Sequence, residues 1–166
     1  GTEAPPFGPQ RLRVLLGPQD DWFTPGAIDA LLGATFAVSP RSDRMGFRLE
    51  GPALVTKRAG ELVSEPVAFG AIQVPSGGAP ILLMADRQTA GGYPKIATVI
   101  SADLPVAGQL APGDTVRFAA CTRAEARTAL ALNPNNAFVI SMLGCVLGFG
   151  GHRDEALDRL HQAMRA

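Results

Sequence analysis

The chain has 166 residues, 46% of them hydrophobic, and its 15 basic side chains balance 15 acidic ones. This length suits one domain, or one domain with an appendage, and the charge balance excludes the basic excess that is typical of nucleic-acid binders. No apolar run reaches the roughly 18 residues of a membrane span and the start shows no signal pattern, so we expect a cytoplasmic protein without nucleic-acid or membrane partners.

The start of the chain predicts a strand followed by one helix. Residues 1–10 are rich in Pro and Gly and are expected to form a flexible segment. Residues 11–16 begin with alternating polar and apolar side chains, which indicates a strand. Thr24 is a suitable helix cap, Pro25 suits the first helical position, and Gly33 marks the end of the helix.

Short segments of β-branched or aliphatic residues follow, separated by Gly and Pro turns. We predict strands at 36–38, 47–50, 67–74, 81–85, 96–100 and 115–118. Several short strands with one early helix indicate a mainly β protein that is built as a closed or nearly closed barrel.

The composition changes towards the C-terminus. Thirteen of the 14 prolines precede position 113, whereas the segment after Thr122 is rich in Ala and Leu. Thr122 and Glu125 form a capping-box pattern, and the spacing of apolar and small residues over 137–163 resembles a tetratricopeptide repeat. We therefore predict a barrel at 11–120 and a helical, tetratricopeptide-like appendage at 121–166. The appendage is either an interaction module or the remnant of a gene fusion or frameshift.

The residue types limit the chemistry of the barrel. Both histidines lie in the tail, which excludes Ser-His-Asp catalysis, Cys-His catalysis and His-bound zinc in residues 1–151. The sequence contains no phosphate-binding loop or dinucleotide motif, and we predict no metal site. The remaining polar groups are concentrated on a loop at 41–48, on a loop at 86–95 and at Gln73 between them.

The loop at 86–95 is the densest polar segment. It joins two predicted strands through eight residues, 87–94, which is longer than the two to five residues usual in a hairpin. Gly91 and Gly92 allow the backbone to approach another group closely. The loop is therefore either one wall of a binding site or a long surface hairpin. Structural alternatives also exist for single residues: a surface ion pair for Asp43 and Arg44, a turn cap for Asp86, and a cover over the barrel end for Tyr93.

Four motifs, in order along the chain, resemble one protein family. They read GPQDDWF at 17–23, VSPRSDRMGFRLEG at 38–51, GAIQVP at 70–75 and LMADRQTAGGYPKIA at 83–97. The family is KipA, also known as the C subunit of 5-oxoprolinase or as allophanate hydrolase subunit 2, and it is related to the carboxyltransferase part of urea carboxylase. The resemblance covers residues 11–120. It implies a cyclophilin-like β-barrel that works with a KipI-like subunit and, in many bacteria, with a LamB/YcsF-like subunit.

The resemblance implies a subunit of an ATP-dependent complex that acts on a small amide, and as a 5-oxoprolinase such a complex opens 5-oxoproline to glutamate. The related urea carboxylases instead transfer a carboxyl group from carboxybiotin to urea, so biotin belongs only to that alternative. ATP is implied by the resemblance alone, and its binding to a partner subunit stays open. The motifs belong to the C-terminal half of family members, which implies a partial subunit. A regulatory binding module or an inactive fragment are the further alternatives.

The resemblance also places the site on the two polar loops. The predicted catalytic residues are Asp86 and Tyr93, as candidates for proton transfer. We assign an anionic group of the substrate to Arg44 and Arg87, and the amide to the Gln and Thr side chains, with the Gly-Gly backbone closing over it. The full set of predicted substrate-binding residues is Arg41, Ser42, Asp43, Arg44, Gln73, Arg87, Gln88, Thr89, Gly91, Gly92 and Lys95.

Overall fold

The computed structural model describes residues 8–58, 60 and 62–132. The chain divides between Cys121 and Thr122 into two units, each of which is described by itself. No helix in the described part of the chain is long and apolar enough to span a membrane. Several sequence predictions fall on residues outside the described ranges: the first seven residues of the flexible segment predicted at 1–10, the tetratricopeptide-like spacing at 137–163, and the tail positions of His152 and His161. Residue 10, the last of the predicted flexible segment, instead begins the first strand.

Strands dominate the first unit. Its strands are β1 (Gln10–Leu16), β2 (Phe36–Val38), β3 (Gly46–Glu50), β4 (Glu65–Pro66), β5 (Ala71–Gln73), β6 (Ile81–Leu83), β7 (Ala90–Gly91), β8 (Lys95–Val99) and β9 (Thr115–Ala120). Its helices are α1 (Pro25–Gly33) and α2 (Leu104–Ala107), and 3-10 turns occupy Asp20–Trp22 and Ser101–Asp103. The described part of the second unit contains α3 (Arg123–Ala131), and the capping box predicted for Thr122 and Glu125 is confirmed.

Seven strands close into a barrel in the order β1-β8-β5-β6-β3-β2-β9. The last strand, β9, pairs with β1 in parallel, whereas the other neighbouring strands of the barrel run antiparallel. A closed barrel leaves no exposed strand edge at which other chains could pair. The prediction of a mainly β barrel with one short N-terminal helix is therefore confirmed.

The local sequence explains the first strand, β1, and the helix α1. In β1, Leu12 and Val14 are fully buried because alternate residues of a strand face the same side. The side chain of Thr24 accepts a hydrogen bond from the backbone N–H of Ala27 at 3.2 Å, so the predicted cap of α1 is confirmed. Ala27 and Leu31, four residues apart on one helix face, are the residues of α1 that are buried.

Two sequence-based interpretations are wrong. The segment 67–74 is not one strand, because Gly70 has a φ of +82° and β5 begins only after it. A Cβ atom at Gly70 would lie 2.7 Å from Cδ2 of Leu104 and 3.2 Å from the carbonyl oxygen of Val99, so a larger residue would also crowd these neighbours. The loop at 86–95 is not a hairpin, because β5 lies between β6 and β8 in the barrel. The short helix α2 carried no recognised signal in the sequence.

A register shift sets the position of Lys95. Ile72 of β5 pairs with Ala97 of β8, but the next residue, Gln73, pairs with Lys95 rather than with Ile96. One extra residue on β8 therefore faces β5, which is the arrangement of a β-bulge. The bulge brings Lys95 opposite Gln73, at the point where the chain leaves the polar loop.

An ion pair joins β1 to the turn that precedes α2. The carboxylate of Asp103 accepts hydrogen bonds from the backbone N–H of Arg13 at 2.7 Å, from its Nε at 3.0 Å and from its Nη2 at 2.6 Å. The side chain of Asp103 is only 10% exposed. The hydrogen bonds to Asp103 hold the pKa of the Arg13 guanidinium above its ordinary value.

Candidate functional site

A cavity of about 190 Å³ lies between β3, β6 and the loop that leads into β8. It is lined by Asp43, Met45, Gly46, Arg48, Gln73, Ile81, Leu83, Gln88 and Tyr93. Pockets for drug-sized ligands usually measure roughly 300–1,000 Å³, so this cavity suits a small metabolite. The cavity brings together four of the predicted site residues: Asp43, Gln73, Gln88 and Tyr93.

Two side-chain amides meet beside one glycine at this cavity. A Cβ atom at Gly91 would lie 2.7 Å from Nε2 of Gln88 and 2.8 Å from Nε2 of Gln73. Gln73 is 2% exposed, and its Nε2 donates to the carbonyl oxygen of Tyr93 at 3.5 Å, the outer limit of a hydrogen bond. Glycine at position 91 thus leaves room for both amides, which retain capacity for hydrogen bonds to a ligand.

A segment at 62–67 holds the loop by its backbone. Strand β4 pairs with β7, so that Glu65 lies opposite Gly91. The N–H of Leu62 donates to the carbonyl oxygen of Gly92 at 2.9 Å, and the N–H of Val67 donates to that of Thr89 at 3.0 Å. The backbone of the predicted Thr89, Gly91 and Gly92 is therefore bound to this segment.

A second polar group consists of Lys95, Glu65 and Gln19. The Nζ of Lys95 lies 2.5 Å from Oε1 of Glu65, and Nε2 of Gln19 donates to the same oxygen at 2.6 Å. Gln19 also holds the backbone of Lys95, because its Oε1 accepts from the Lys95 N–H and its own N–H donates to the Lys95 carbonyl, both at 3.0 Å. The contact with Lys95, followed by that with Gln19, keeps the pKa of Glu65 below its ordinary value.

The two predicted anion-binding arginines have other partners. Arg44 and Asp86 form a forked ion pair, with Nε to Oδ2 at 2.7 Å and Nη2 to Oδ1 at 3.3 Å, and both side chains are well exposed. Nε of Arg87 donates to the carbonyl oxygen of Val67 at 3.1 Å, and its guanidinium lies 5.8 Å from the Phe69 ring centre. Burial lowers the pKa of Arg87.

The loop at 41–48 is shaped by its own side chains. Oδ1 of Asp43 accepts from the N–H groups of Met45 at 2.8 Å and of Gly46 at 3.2 Å, and Oγ of Ser42 accepts from the N–H of Arg48 at 3.0 Å. Asp43 therefore caps the turn and lines the cavity at once. The predicted Arg41 is exposed on the same turn.

Sequence reasoning did not select Gln19 and Glu65 as site residues. Gln19 lies within the GPQDDWF motif, which offered a signal, whereas Glu65 lies in a segment outside all four motifs. The roles predicted for individual residues stay predictions, since geometry alone assigns no substrate.

The side chains near the cavity can be compared with what a metal ion or a nucleotide requires. Across residues 8–58 and 62–132, no three His, Cys, Asp or Glu side chains are grouped so that they could hold a metal ion. The cavity is smaller than a pocket for a ligand of nucleotide size. Arg48 lines the cavity, whereas Arg44 and Lys95 each contact a carboxylate. The volume of this cavity does not fit ATP.

The barrel and its amide-lined cavity define a closed β domain with a pocket of metabolite size. The model of the family described as carboxyltransferase domain, subdomain A and B, matches residues 2–120, and the chain belongs to this family. The family resemblance inferred from the four motifs is thereby confirmed.

The chain is similar to two classes of protein, the C subunits of 5-oxoprolinases and a urea amidolyase. The chain is 48% identical over 91 residues to the C subunit of 5-oxoprolinase from Haemophilus influenzae, covering 55% of this chain and 29% of that protein. It is 40% identical over 116 residues to the C subunit of 5-oxoprolinase from Escherichia coli, covering 70% and 37%. The structure of K. lactis urea amidolyase superposes with a TM-score of 0.67 at 28% identity, covering 74% of this chain and 8% of that one. The chain thus spans about a third of the length of these two 5-oxoprolinase relatives.

Proposed function

We propose that this chain supplies the barrel part of an ATP-dependent 5-oxoprolinase complex and that its cavity binds the cyclic amide. The observation that carries the proposal is the pair of amides, Gln73 and Gln88, which meet beside Gly91 at a cavity of metabolite size. Support comes from the similarity to the C subunit of 5-oxoprolinase over most of the barrel.

The lining matches the chemistry of a lactam. The ring amide presents one carbonyl acceptor and one N–H donor, and each glutamine side chain carries both complementary groups. Donors aimed at the carbonyl oxygen stabilise the negative charge that develops there when the ring is opened. Tyr93 lines the cavity and is therefore assigned to proton transfer in preference to Asp86, which is bound to Arg44. The ion pair of Arg44 and Asp86 is assigned to joining the two polar loops at the rim.

The proposal places ATP and the remaining chemistry on other subunits. The amide-lined cavity is too small for a nucleotide, so we assign ATP to a KipI-like partner, with a LamB/YcsF-like subunit as a third component. The two bacterial relatives are each one subunit of a 5-oxoprolinase, which supports a multi-subunit assembly.

Reconstitution tests this function. Purified chain mixed with KipI-like and LamB/YcsF-like subunits is expected to hydrolyse ATP only when 5-oxoproline is present, with formation of glutamate. The control omits this chain and keeps both partners. Equal rates with and without the chain, or no response of the full mixture to 5-oxoproline, would contradict the proposal.

Carboxyl transfer to a urea-like amide is the second candidate. It is favoured by the TM-score of 0.67 to K. lactis urea amidolyase. The ureido ring of biotin is a cyclic urea, whose carbonyl and N–H groups fit the same glutamine donors and acceptors, and when bound it would carry the carboxyl group. A rate that depends on urea and on a biotinylated partner, without any response to 5-oxoproline, would select this function instead.

Substituting Gly91 probes the cavity without changing its charge. In Gly91→Ala the added methyl group would collide with both amides, so we expect binding of 5-oxoproline to weaken by roughly 10- to 100-fold. Calorimetry measures the affinity and circular dichroism checks the fold. The matched control is Gly77→Ala, because a Cβ at Gly77 meets no atom within 4 Å. Equal affinities of the two variants would show that the amides do not contact the ligand.

A further inference from the structure

The ammonium group of Lys95 is buried with incomplete hydrogen bonding. Its side chain is 3% exposed, and Nζ is a buried polar atom that makes no hydrogen bond of acceptable geometry to any described residue. Glu65 supplies a charge contact, but an ammonium group has three N–H donors. Burying a charge is costly unless its donors are paired, so the unused donors indicate that an acceptor is still to bind.

We propose that Nζ of Lys95 is the subsite for the carboxylate of the substrate, and that Glu65 is a counter-ion which this carboxylate displaces. The inference rests on the proposed function, because 5-oxoproline is the ligand that carries a carboxylate beside a ring amide. The ligand class that this site selects is then a small cyclic amide that carries a negative charge.

The position of Lys95 places this subsite next to the amides. The β-bulge sets Lys95 opposite Gln73, which lines the cavity. Glu65 lies opposite Gly91, the residue beside which Gln73 and Gln88 meet. Lys95 and the two glutamines therefore occupy neighbouring positions of the fold, which suits a ligand whose amide and carboxylate are close together, as they are in 5-oxoproline.

Glu65, rather than Lys95, is the partner that can move. Lys95 belongs to a barrel strand and its backbone N–H and carbonyl are both held by Gln19. Glu65 has a side chain that is 40% exposed, and it lies on the two-residue strand β4 outside the barrel. Its carboxylate can turn towards solvent while Lys95 stays in place.

The two arginines that the sequence analysis assigned to the anionic group are less suitable than Lys95, and Arg48, which lines the cavity, has an exposed side chain rather than a buried one. Arg44 is bound by Asp86 through two contacts, and Arg87 donates to Val67 and lies on the Phe69 ring. The assignment of the anionic group therefore passes from these two arginines to Lys95.

Two ligands that differ only in the carboxylate provide the test: 5-oxoproline and 2-pyrrolidinone, titrated calorimetrically into the full chain. The unsubstituted chain is expected to bind 5-oxoproline roughly tenfold or more tightly than 2-pyrrolidinone, as a charge-assisted hydrogen bond predicts. Lys95→Met should abolish this preference. Glu65→Gln should tighten 5-oxoproline several-fold and leave 2-pyrrolidinone unchanged, because the competing anion is gone. Glu50→Gln, the same charge change on an exposed residue of β3, should change neither affinity.

The sign of the Glu65→Gln effect decides between displacement and a fixed structural role. Weaker or unchanged binding of 5-oxoproline in Glu65→Gln would overturn the inference, as would equal or unmeasurable affinities for the two ligands in the unsubstituted chain. This variant keeps the test decisive even if Lys95→Met does not fold. Failure of the proposed function gives a different result, in which the carboxylate preference is present but the reconstituted complex shows no ATP hydrolysis that depends on 5-oxoproline.

Discussion

Replacing Gln73 with methionine is expected to lower ATP hydrolysis that depends on 5-oxoproline by roughly 100-fold in the reconstituted complex, because one aimed donor at the reacting carbonyl is lost. The methionine side chain has a similar length and shape, so the buried position at Gln73 stays filled. The amide's hydrogen bond to the Tyr93 carbonyl is 3.5 Å long, and its loss should change the free energy of unfolding by no more than about 1 kcal/mol.

Activity and stability are therefore expected to separate in this variant. Steady-state kinetics and urea denaturation measure the two quantities, and Gln109→Met is the control, since it makes the same chemical change at an exposed position. A fall in kcat indicates a contact made in the transition state, whereas a rise in KM alone indicates equal binding of ground and transition states. Full activity of Gln73→Met would contradict the assignment of the amide pair to the substrate.

Local patterns were sufficient to predict most barrel strands and the helix α1. The period of two in β1 and the cap formed by Thr24 and Pro25 are properties of neighbouring residues, and both are present in the structure. The break at Gly70 was missed because the run of apolar residues around it continues without interruption, and the positive φ of one glycine is not visible in that pattern. The insertion of β5 between β6 and β8 was missed because pairing order depends on closure of the whole barrel, which short-range periodicity does not encode.

In the candidate site, too, residues within local motifs were predicted, whereas residues that act through distant partners were missed. Gln73, Gln88 and Tyr93 could be selected from the sequence because barrel residues lack histidine and because a family motif surrounds each of them. Glu65 and Gln19 were not selected, although a family motif contains Gln19, because each acts through a partner far along the chain: 46 positions separate these two, and 76 separate Gln19 from Lys95. A charged residue in an irregular segment resembles an ordinary surface residue until its partner is known.

The largest expected loss of stability comes from the ion pair between β1 and the turn before α2. Asp103→Ala removes the acceptor of three N–H groups of Arg13, one of them in the backbone of a barrel strand. We expect the free energy of unfolding to fall by about 2–3 kcal/mol, because a buried donor that loses its partner costs the full desolvation penalty. Exposure of part of the Arg13 side chain lets its charge regain water, which keeps the loss below that of a fully buried pair.

Asp21→Ala is the control that separates the effect of burying the ion pair from the effect of losing one negative charge. Asp21 also pairs with a single arginine, Arg58, at 3.3 Å, but its side chain is 61% exposed. An exposed ion pair contributes at most about 1 kcal/mol, so urea denaturation should show a clearly smaller loss for this variant. Both variants remove one negative charge, so a change in net charge alone would lower both stabilities equally. Equal losses would therefore show that the backbone hydrogen bond and the burial of Asp103 do not stabilise the barrel.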